Sequence, residues 1–401
     1  MSLKLRTHRV AVALVAALLL EGCAVTHTVD AARLPDASAP ALVEQLPVMV
    51  GVHHAAGVRE TIALPADLAR IPIGAEVIST FDWALRQMFT GVVAVAEPPP
   101  GRAAPPGIAG IVVLTRVQPS IGQPLLTYSI ELHSHEGSLL DQWEMTGFAS
   151  KDPFTEPILV PFGALAAWSI RDATAAFMVD LPQRPAVRDW QAAAGRAADT
   201  AAAPIPPTHP AAPGGAAVAF VREAGDWSYG EASDAQACVV PRFRALAPTV
   251  PVVPFDRLRL ALFPWLEFST APRTEEALLD LLARPDVEQR ISELGLRCLV
   301  FAGGTTTTAF DQGGIGCVAG PAPGAGCYGF AWGTRDSSYR ATVVDLTRAF
   351  DPVRQAARRQ AGVFMPAFIL PVPIIGATKS AACEELARRV RDIVAGSASA
   401  P

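Results

Sequence analysis

Residues 182–215 are the stretch that most limits what this chain can become. They are largely Ala, Pro, Thr and Gly. Such a composition cannot bury enough apolar surface to offset the entropy of ordering it. It predicts a linker between two folded parts. Residues 191–203 could wind into a frayed helix, which Pro204, Pro206 and Pro207 would end. The flanks are patterned and apolar. Half of the 401 residues are hydrophobic, so a core is within reach. At roughly 150 residues per domain the length fits two or three domains.

The N-terminus supplies the second constraint. Lys4, Arg6 and Arg9 precede an unbroken apolar run from Val10 to Leu20. That run is too short to span a bilayer and suits the core of a signal peptide. It ends in Leu20-Glu21-Gly22-Cys23. This ending resembles the lipobox of bacterial lipoproteins, in which a small residue precedes a Cys that is acylated and becomes the mature N-terminus. Glu21 departs from that pattern, which favours a small uncharged residue. The resemblance implies a leader over 1–22, lipid (palmitate) on Cys23, and a polar tether over 23–40. Two or three acyl chains hold a protein stably, because each buried CH₂ contributes about 0.8 kcal/mol. Ala24 after the Cys implies sorting to the outer membrane, facing the periplasm. The inner membrane and the cell surface stay open, as does a freely secreted protein with a chance Cys.

The net charge is −5, and losing the basic leader makes the remainder more acidic. No basic cluster follows, so nucleic-acid binding has no electrostatic footprint.

Over 41–181 the periodicity predicts a strand at 42–52 with Val48, Val50 and Val52 alternating. A helix at 72–90 carries a stripe of Val77, Phe81, Leu85 and Met88, with Gly91 as its stop. Strands follow at 92–96, 108–117, 126–134 and 139–149, with a Glu136-Gly137 hairpin turn. A helix at 165–181 presents Ile170, Ala173, Phe177 and Leu181 inward. Over 216–396 strands are predicted at 217–221, 236–239, 258–263 and 296–302. Helices are predicted at 274–283 and at 286–294, the latter capped by Asp286. A Gly- and Thr-rich loop covers 303–326, and paired strands cover 328–334 and 339–346. An irregular apolar run spans 362–376, and a last helix at 380–395 has Cys383, Leu386, Val390 and Ile393 on one face. The expected fold is α+β: two domains, each an antiparallel sheet with helices packed on one face.

Residues 256–395 resemble the C-terminal region of a family of bacterial lipoproteins with no assigned reaction. The matching motifs are LFPWLE at 262–267, GGIGCVAGPAPGAGCYGFAW at 313–332, DSSY at 336–339 and FMPAFILPVPIIGATKSAAC at 364–383. Residues 345–350 depart from it, lacking the Gly expected in a hairpin turn. The resemblance implies location and architecture, and no chemistry.

Of six Cys residues, one is the lipid site. In an exported chain the others can form disulfides. Cys317 and Cys327 bracket a Gly/Pro loop, and a disulfide there would stabilise the fold by about 3 kcal/mol. Free thiols are the second reading. Zinc is the third, and it would need two further soft ligands at short spacing, which are not adjacent. Cys383 reads as a buried small hydrophobe or as a bridge to Cys238 or Cys298. His133 and His135 share one strand face, where two metal ligands could stand, with at most one of His53 and His54 joining them. The favoured reading is the exposed polar face of an edge strand. The glycines after 303 have neither dinucleotide nor P-loop spacing. No G-x-S-x-G elbow is present, and the last His, His209, is far from any Cys that could act as a nucleophile. Residues 364–375 and Leu262 to Leu266 are the candidate apolar contact surfaces, with burial as the favoured reading for both.

These features predict a membrane-anchored envelope lipoprotein, a non-enzymatic accessory or scaffold factor with an envelope protein as partner and no cofactor, metal or catalytic set. The alternative is a periplasmic ligand-binding module with its pocket between the Gly-rich loop and residues 364–375.

Overall fold

The computed structural model describes residues 34–35, 41–63, 71–96, 103–119, 125–149, 162–198, 216–222, 234–318, 326–346, 352–369, 374–375 and 377–398. Cys23, the leader and most of the tether lie outside these. The described residues form two compact units. The first takes the chain to the end of its last helix near residue 198 and adds the short segment Phe263–Ala271; the second takes the rest. Both are α+β.

In the first unit the order is β1 (Leu46–His54), the short β2 (Ile62–Ala63) and β3 (Ile71–Pro72), α1 (Gly74–Met88) and β4 (Phe89–Ala94). Then come β5 (Gly110–Pro119), β6 (Leu125–Ser134), β7 (Leu139–Phe148), α2 (Phe162–Asp180), a 3₁₀ turn (Leu181–Gln183) and α3 (Pro185–Ala198). The main sheet has the strand order β4-β1-β5-β6-β7. It is mixed, which corrects the expectation of an antiparallel sheet: β1 runs parallel to both β4 and β5. The reason is connectivity. Helix α1 carries the chain back along the sheet before β4 starts, and a crossover of that kind delivers a parallel neighbour. The meander β5-β6-β7 is antiparallel, and Gly137 turns its second corner with φ of 86°.

The helical stripe Val77, Phe81, Leu85 and Met88 is wholly buried, as are Ile170, Ala173, Phe177 and Leu181. The rings of Phe81 and Phe177 meet at 4.8 Å between the two helices. Gly91 sits inside β4 and stops no helix, because the chain enters β4 directly at Phe89. The linker expectation needs correction over its first part. Leu181, Val187 and Trp190 join the core, and Trp190 Nε1 donates to the Ala109 carbonyl at 3.1 Å. Ala is the strongest helix former, and two large apolar side chains among the alanines give α3 a face to bury. Residues 199–215 lie outside the described residues.

The second unit runs β8 (Ala217–Arg222), α4 (Asp234–Leu246), β9 (Val252–Val253), α5 (Phe255–Ala261), α6 (Glu275–Leu282) and α7 (Pro285–Glu293). It continues with β10 (Leu296–Val318), β11 (Gly326–Asp345), β12 (Pro352–Ile369), β13 (Ile374–Ile375) and α8 (Thr378–Ala398). The sheet order is β13-β12-β11-β10-β8-β9, with β8 parallel to β10 and to β9. This sheet too is mixed rather than antiparallel. Helices α4 and α8 pack over the lower halves of β10, β11 and β12 around Phe243, Val300, Val343, Leu386 and Val390.

Four sequence expectations fail here. The strands expected at 236–239 and 258–263 are the helices α4 and α5; a short apolar run fits either state until its partners are known. The cap of α7 is Arg284, with Pro285 at its first turn, so Asp286 sits inside the helix. The Gly/Thr loop at 303–326 is strand over its described residues. Strands β10 and β11 pair from Cys298↔Asp345 to Val318↔Gly326, with one break in register between Phe310 and Gln312, and β12 follows β11 as far as Cys327↔Ile369. Thr305 to Thr308 are β-branched and favour the pleat. Glycine supplies the backbone the twist demands: Gly329 has φ of +137°, and a Cβ there would stand 2.1 Å from the Gly314 oxygen.

Candidate functional site

Phe263 to Glu267 of the LFPWLE motif belong to the first unit, held by buried polar groups as well as apolar ones. Leu262 is buried, Phe263 is wholly buried and lies in the first unit's core, and Leu266 is buried. Trp265 Nε1 donates to the Leu42 carbonyl at 2.8 Å, and Leu42 N donates to the Phe263 carbonyl at 2.9 Å. Glu267 is fully buried and takes the Arg171 guanidinium at 2.7 Å, while Arg171 also lies over the Phe263 ring. One residue along α2, Asp172 accepts Phe148 N at 2.9 Å, Ser269 N at 2.8 Å and the Ser269 hydroxyl at 2.5 Å. Burial pushes the Asp172 carboxyl up to about 6, and the hydrogen bonds from Ser269 and Phe148 hold it from rising further. Helix α2 can come this close because residue 147 is glycine; a Cβ there would stand 2.0 Å from the Ser169 oxygen. The Arg171–Glu267 pair and the bonds from Ser269 to Asp172 hold Phe263–Ala271 against α2, so the set reads as a clamp. The apolar letters of the motif were visible in the sequence. Arg171 and Asp172 were not, since isolated charges on a helix carry no spacing signal.

The histidines do not converge. His53 Nδ1 meets the Val95 carbonyl at 3.0 Å, His54 lies 2.9 Å from Asp82, His133 lies 2.8 Å from Glu131, and His135 meets the Ile108 carbonyl at 2.9 Å. His133 is buried, and β6 lies between β5 and β7, so the edge-strand expectation is corrected. The meander folds β7 back outside β6. Among the described residues no group of three or more His, Cys, Asp or Glu could hold a metal ion.

Cys238 on α4 and Cys383 on α8 form a disulfide, one of the two bridges the sequence left open for Cys383. Cys298 is a buried thiol. Cys317 and Cys327 are direct partners in the β10–β11 register; their side chains lie outside the described set.

The third feature is the upper half of β10, β11 and β12, which continues past the helices as a three-stranded arm. Phe310, Phe330 and Trp332 are each 43% exposed or more, and Trp332 packs on Phe364 with ring centroids 4.3 Å apart. Below them stands a charged collar in which Arg358 pairs with Asp336 and Arg359 with Glu385. Arg358 holds the exposed Asp336 carboxyl below the usual carboxylate range. At the root of the arm a cavity of about 410 Å³ is lined by Arg242, Arg335, Lys379, Ser380 and Cys238. Arg242 donates to Ser380 Oγ at 2.8 Å and to the Cys238 carbonyl at 2.6 Å. Arg335 Nε is enclosed without an acceptor among the described residues. Beside it Thr306, Ser337, Thr378 and Tyr339 form a chain of hydroxyl hydrogen bonds. A second, more apolar cavity of about 250 Å³ lies between α4, β9 and α5, lined by Phe220, Val240, Val252 and Phe255 among others. No described helix is long and apolar enough to cross a membrane.

No family model matches the chain, and no curated protein does. Among solved structures the chain is similar to a Xanthomonas campestris protein of the DUF330 family. The two are 12% identical, with a TM-score of 0.26, over 44% of this chain and 99% of that one. A likeness of that size carries no argument about fold or activity.

Proposed function

We propose that this chain is an exported lipoprotein, anchored through Cys23 to a membrane of the cell envelope and working there as a non-enzymatic accessory or scaffold factor. The observation that carries this reading is the Cys238–Cys383 disulfide. Disulfides persist in oxidising compartments and are rare in the cytosol, so the cross-link agrees with the leader and lipobox at residues 1–23. The arm of β10, β11 and β12, with Phe310, Phe330 and Trp332 exposed, fits a surface built for contact. Ala24 favours the outer membrane, with the folded units in the periplasm and residues 23–40 as their tether.

Metabolic palmitate labelling tests the anchor. The expected outcome is label on the wild-type protein and none on Cys23→Ser; absence of label from both sinks it. Crosslinking in cells followed by affinity purification tests the accessory role, with a defined envelope protein expected from the anchored form.

A second reading, a ligand-binding module, draws on the cavity beside Phe220 and Phe255. That cavity lies away from the place the sequence suggested, between the Gly-rich segment and residues 364–375. Native mass spectrometry of the purified chain, expected to show a bound small molecule under this reading only, separates the two.

A further inference from the structure

We propose that the β10–β12 arm is a peripheral membrane-docking element: its uncharged end enters the interfacial layer of a bilayer, and the cationic cavity at its root takes a lipid phosphate. The inference goes beyond the lipid on Cys23 and does not depend on it.

The charge pattern comes first. From Gln312 to Thr334 the sequence has no Asp, Glu, Lys or Arg, and none occurs from Ala361 to Thr378. Three adjacent strands thus lose their charges at the same height. The Gln312↔Trp332 and Trp332↔Phe364 pairs mark that height, and Arg335, Asp336, Arg358 and Arg359 form the collar just below. Aromatic residues beneath an apolar zone, with charges behind them, is the layering that a membrane–water interface selects. From Gln312↔Trp332 to Val318↔Gly326 the hairpin extends about 20 Å at the usual rise of a strand.

The faces come second. Phe310 stands opposite Gly333 in the register, next to Trp332 opposite Gln312. Neighbouring positions on a strand point to opposite sides, so Phe310 and Trp332 are exposed on the two faces of one sheet. A protein partner seated on one face would leave the other aromatic in water. A bilayer surrounds both.

The root supplies the third observation. Arg335 shares a face with Ser337 and Tyr339, two and four residues on, and so lies on the α8 side of the sheet. Arg242, Arg335 and Lys379 line the same cavity with Ser380, and among the described residues no carboxylate lines it. Among the described residues the buried Arg335 Nε has no acceptor, and an anion held beside its guanidinium offsets that cost. Lys379 and Ser380 are in the first turn of α8, where the helix dipole also favours negative charge. Arg335 is three residues from Trp332, so an anion bound there sits at the depth of a headgroup when the aromatics sit at the acyl boundary. The depth is limited: among the described residues the outer edge of upper β10 has no strand beside it, and an open edge is excluded from hydrocarbon. The arm therefore docks in the interface rather than crossing.

The test uses the mature chain from residue 24 onward, made without its leader so that it carries no lipid; every described residue is kept. It is floated with vesicles of phosphatidylcholine alone or mixed equally with phosphatidylglycerol. Flotation with the mixed vesicles is expected, and Phe330→Asp/Trp332→Asp weakens it at least about tenfold. Unchanged circular dichroism shows that this variant folds, as expected of side chains more than half exposed. Arg335→Gln weakens binding to the mixed vesicles about fivefold and leaves binding to phosphatidylcholine unchanged. Brominated lipid quenches part of the tryptophan emission, and Trp332→Phe removes that part while still floating. Equal flotation by wild type and Phe330→Asp/Trp332→Asp overturns the proposal, as does no flotation with either vesicle. Thermal stabilisation by inorganic phosphate without flotation would make the cavity a site for a free anion and overturn it as well. A dimer that the double variant dissociates, with no vesicle binding, would mean that the arm mates with a second copy.

Discussion

Two acidic residues in the clamp make opposite demands on their surroundings. Asp172 is buried and hydrogen-bonded without a cation of its own, and its carboxyl titrates near 6 instead of 3.8. The native state therefore takes up this proton before the unfolded chain does. The contribution of Asp172 to stability rises as pH falls from about 6 to about 4 and is constant below that, a span of about 3 kcal/mol. Denaturant unfolding across that range, compared with Asp172→Asn, checks it. Wild type is expected to gain relative to the variant as pH falls, and parallel curves would show that Asp172 does not titrate there. Glu267 is in contrast paired with Arg171. Removing one partner leaves an uncompensated buried charge, so Glu267→Ala is expected to cost about 3–5 kcal/mol. Replacing both, as in Arg171→Met/Glu267→Met, is expected to recover most of that loss. A double variant as unstable as the single would mean the pair stabilises by more than cancelling its own burial cost.

Among the elements, α4 and α8 are the two that sequence distance would keep apart. Their disulfide closes a loop of 145 residues, and chain-entropy arithmetic gives it about 5 kcal/mol. Cys238→Ala/Cys383→Ala should lower the unfolding free energy of the second unit by that order, and an unchanged denaturant midpoint would contradict it. Legibility differed sharply between elements. Helices α1, α2 and α8 were visible because each carries a stripe at helical spacing, and all three bury it, Ile393 of α8 only partly. Helix α4 was misread as a strand because Cys238, Val239 and Val240 form a run too short to show a period. The upper part of β10, residues 303–318, was misread as a loop because Gly and Thr suggest turns when read singly, whereas most of β11 was read as strand. What makes them strands is the pairing of each with a neighbour in long register, which no window along one strand contains.

On the scale of the whole molecule, the chain is two α+β units joined by more than one crossing. The segment Phe263–Ala271 returns to the first unit after the second has begun. A cut near residue 215 would therefore strip the first unit of Phe263, Glu267 and Ser269. A fragment ending there is expected to be far less stable than the full chain, read as early proteolysis or loss of a cooperative thermal transition. A fragment that unfolds like the intact chain would show the clamp to be dispensable.

The sequence by itself determined the α+β class, the division into two parts and the core stripes of the amphipathic helices. These follow from local periodicity and composition, which neighbouring residues carry among themselves. Only the tertiary structure decided that the sheets are mixed, that Cys238 pairs with Cys383, that Phe263 to Glu267 serve the first unit, and that the Gly/Thr stretch rises as an arm with Arg335 at its root. Each of these depends on contacts between residues tens to more than a hundred positions apart, and free energies of that kind leave no period in the chain.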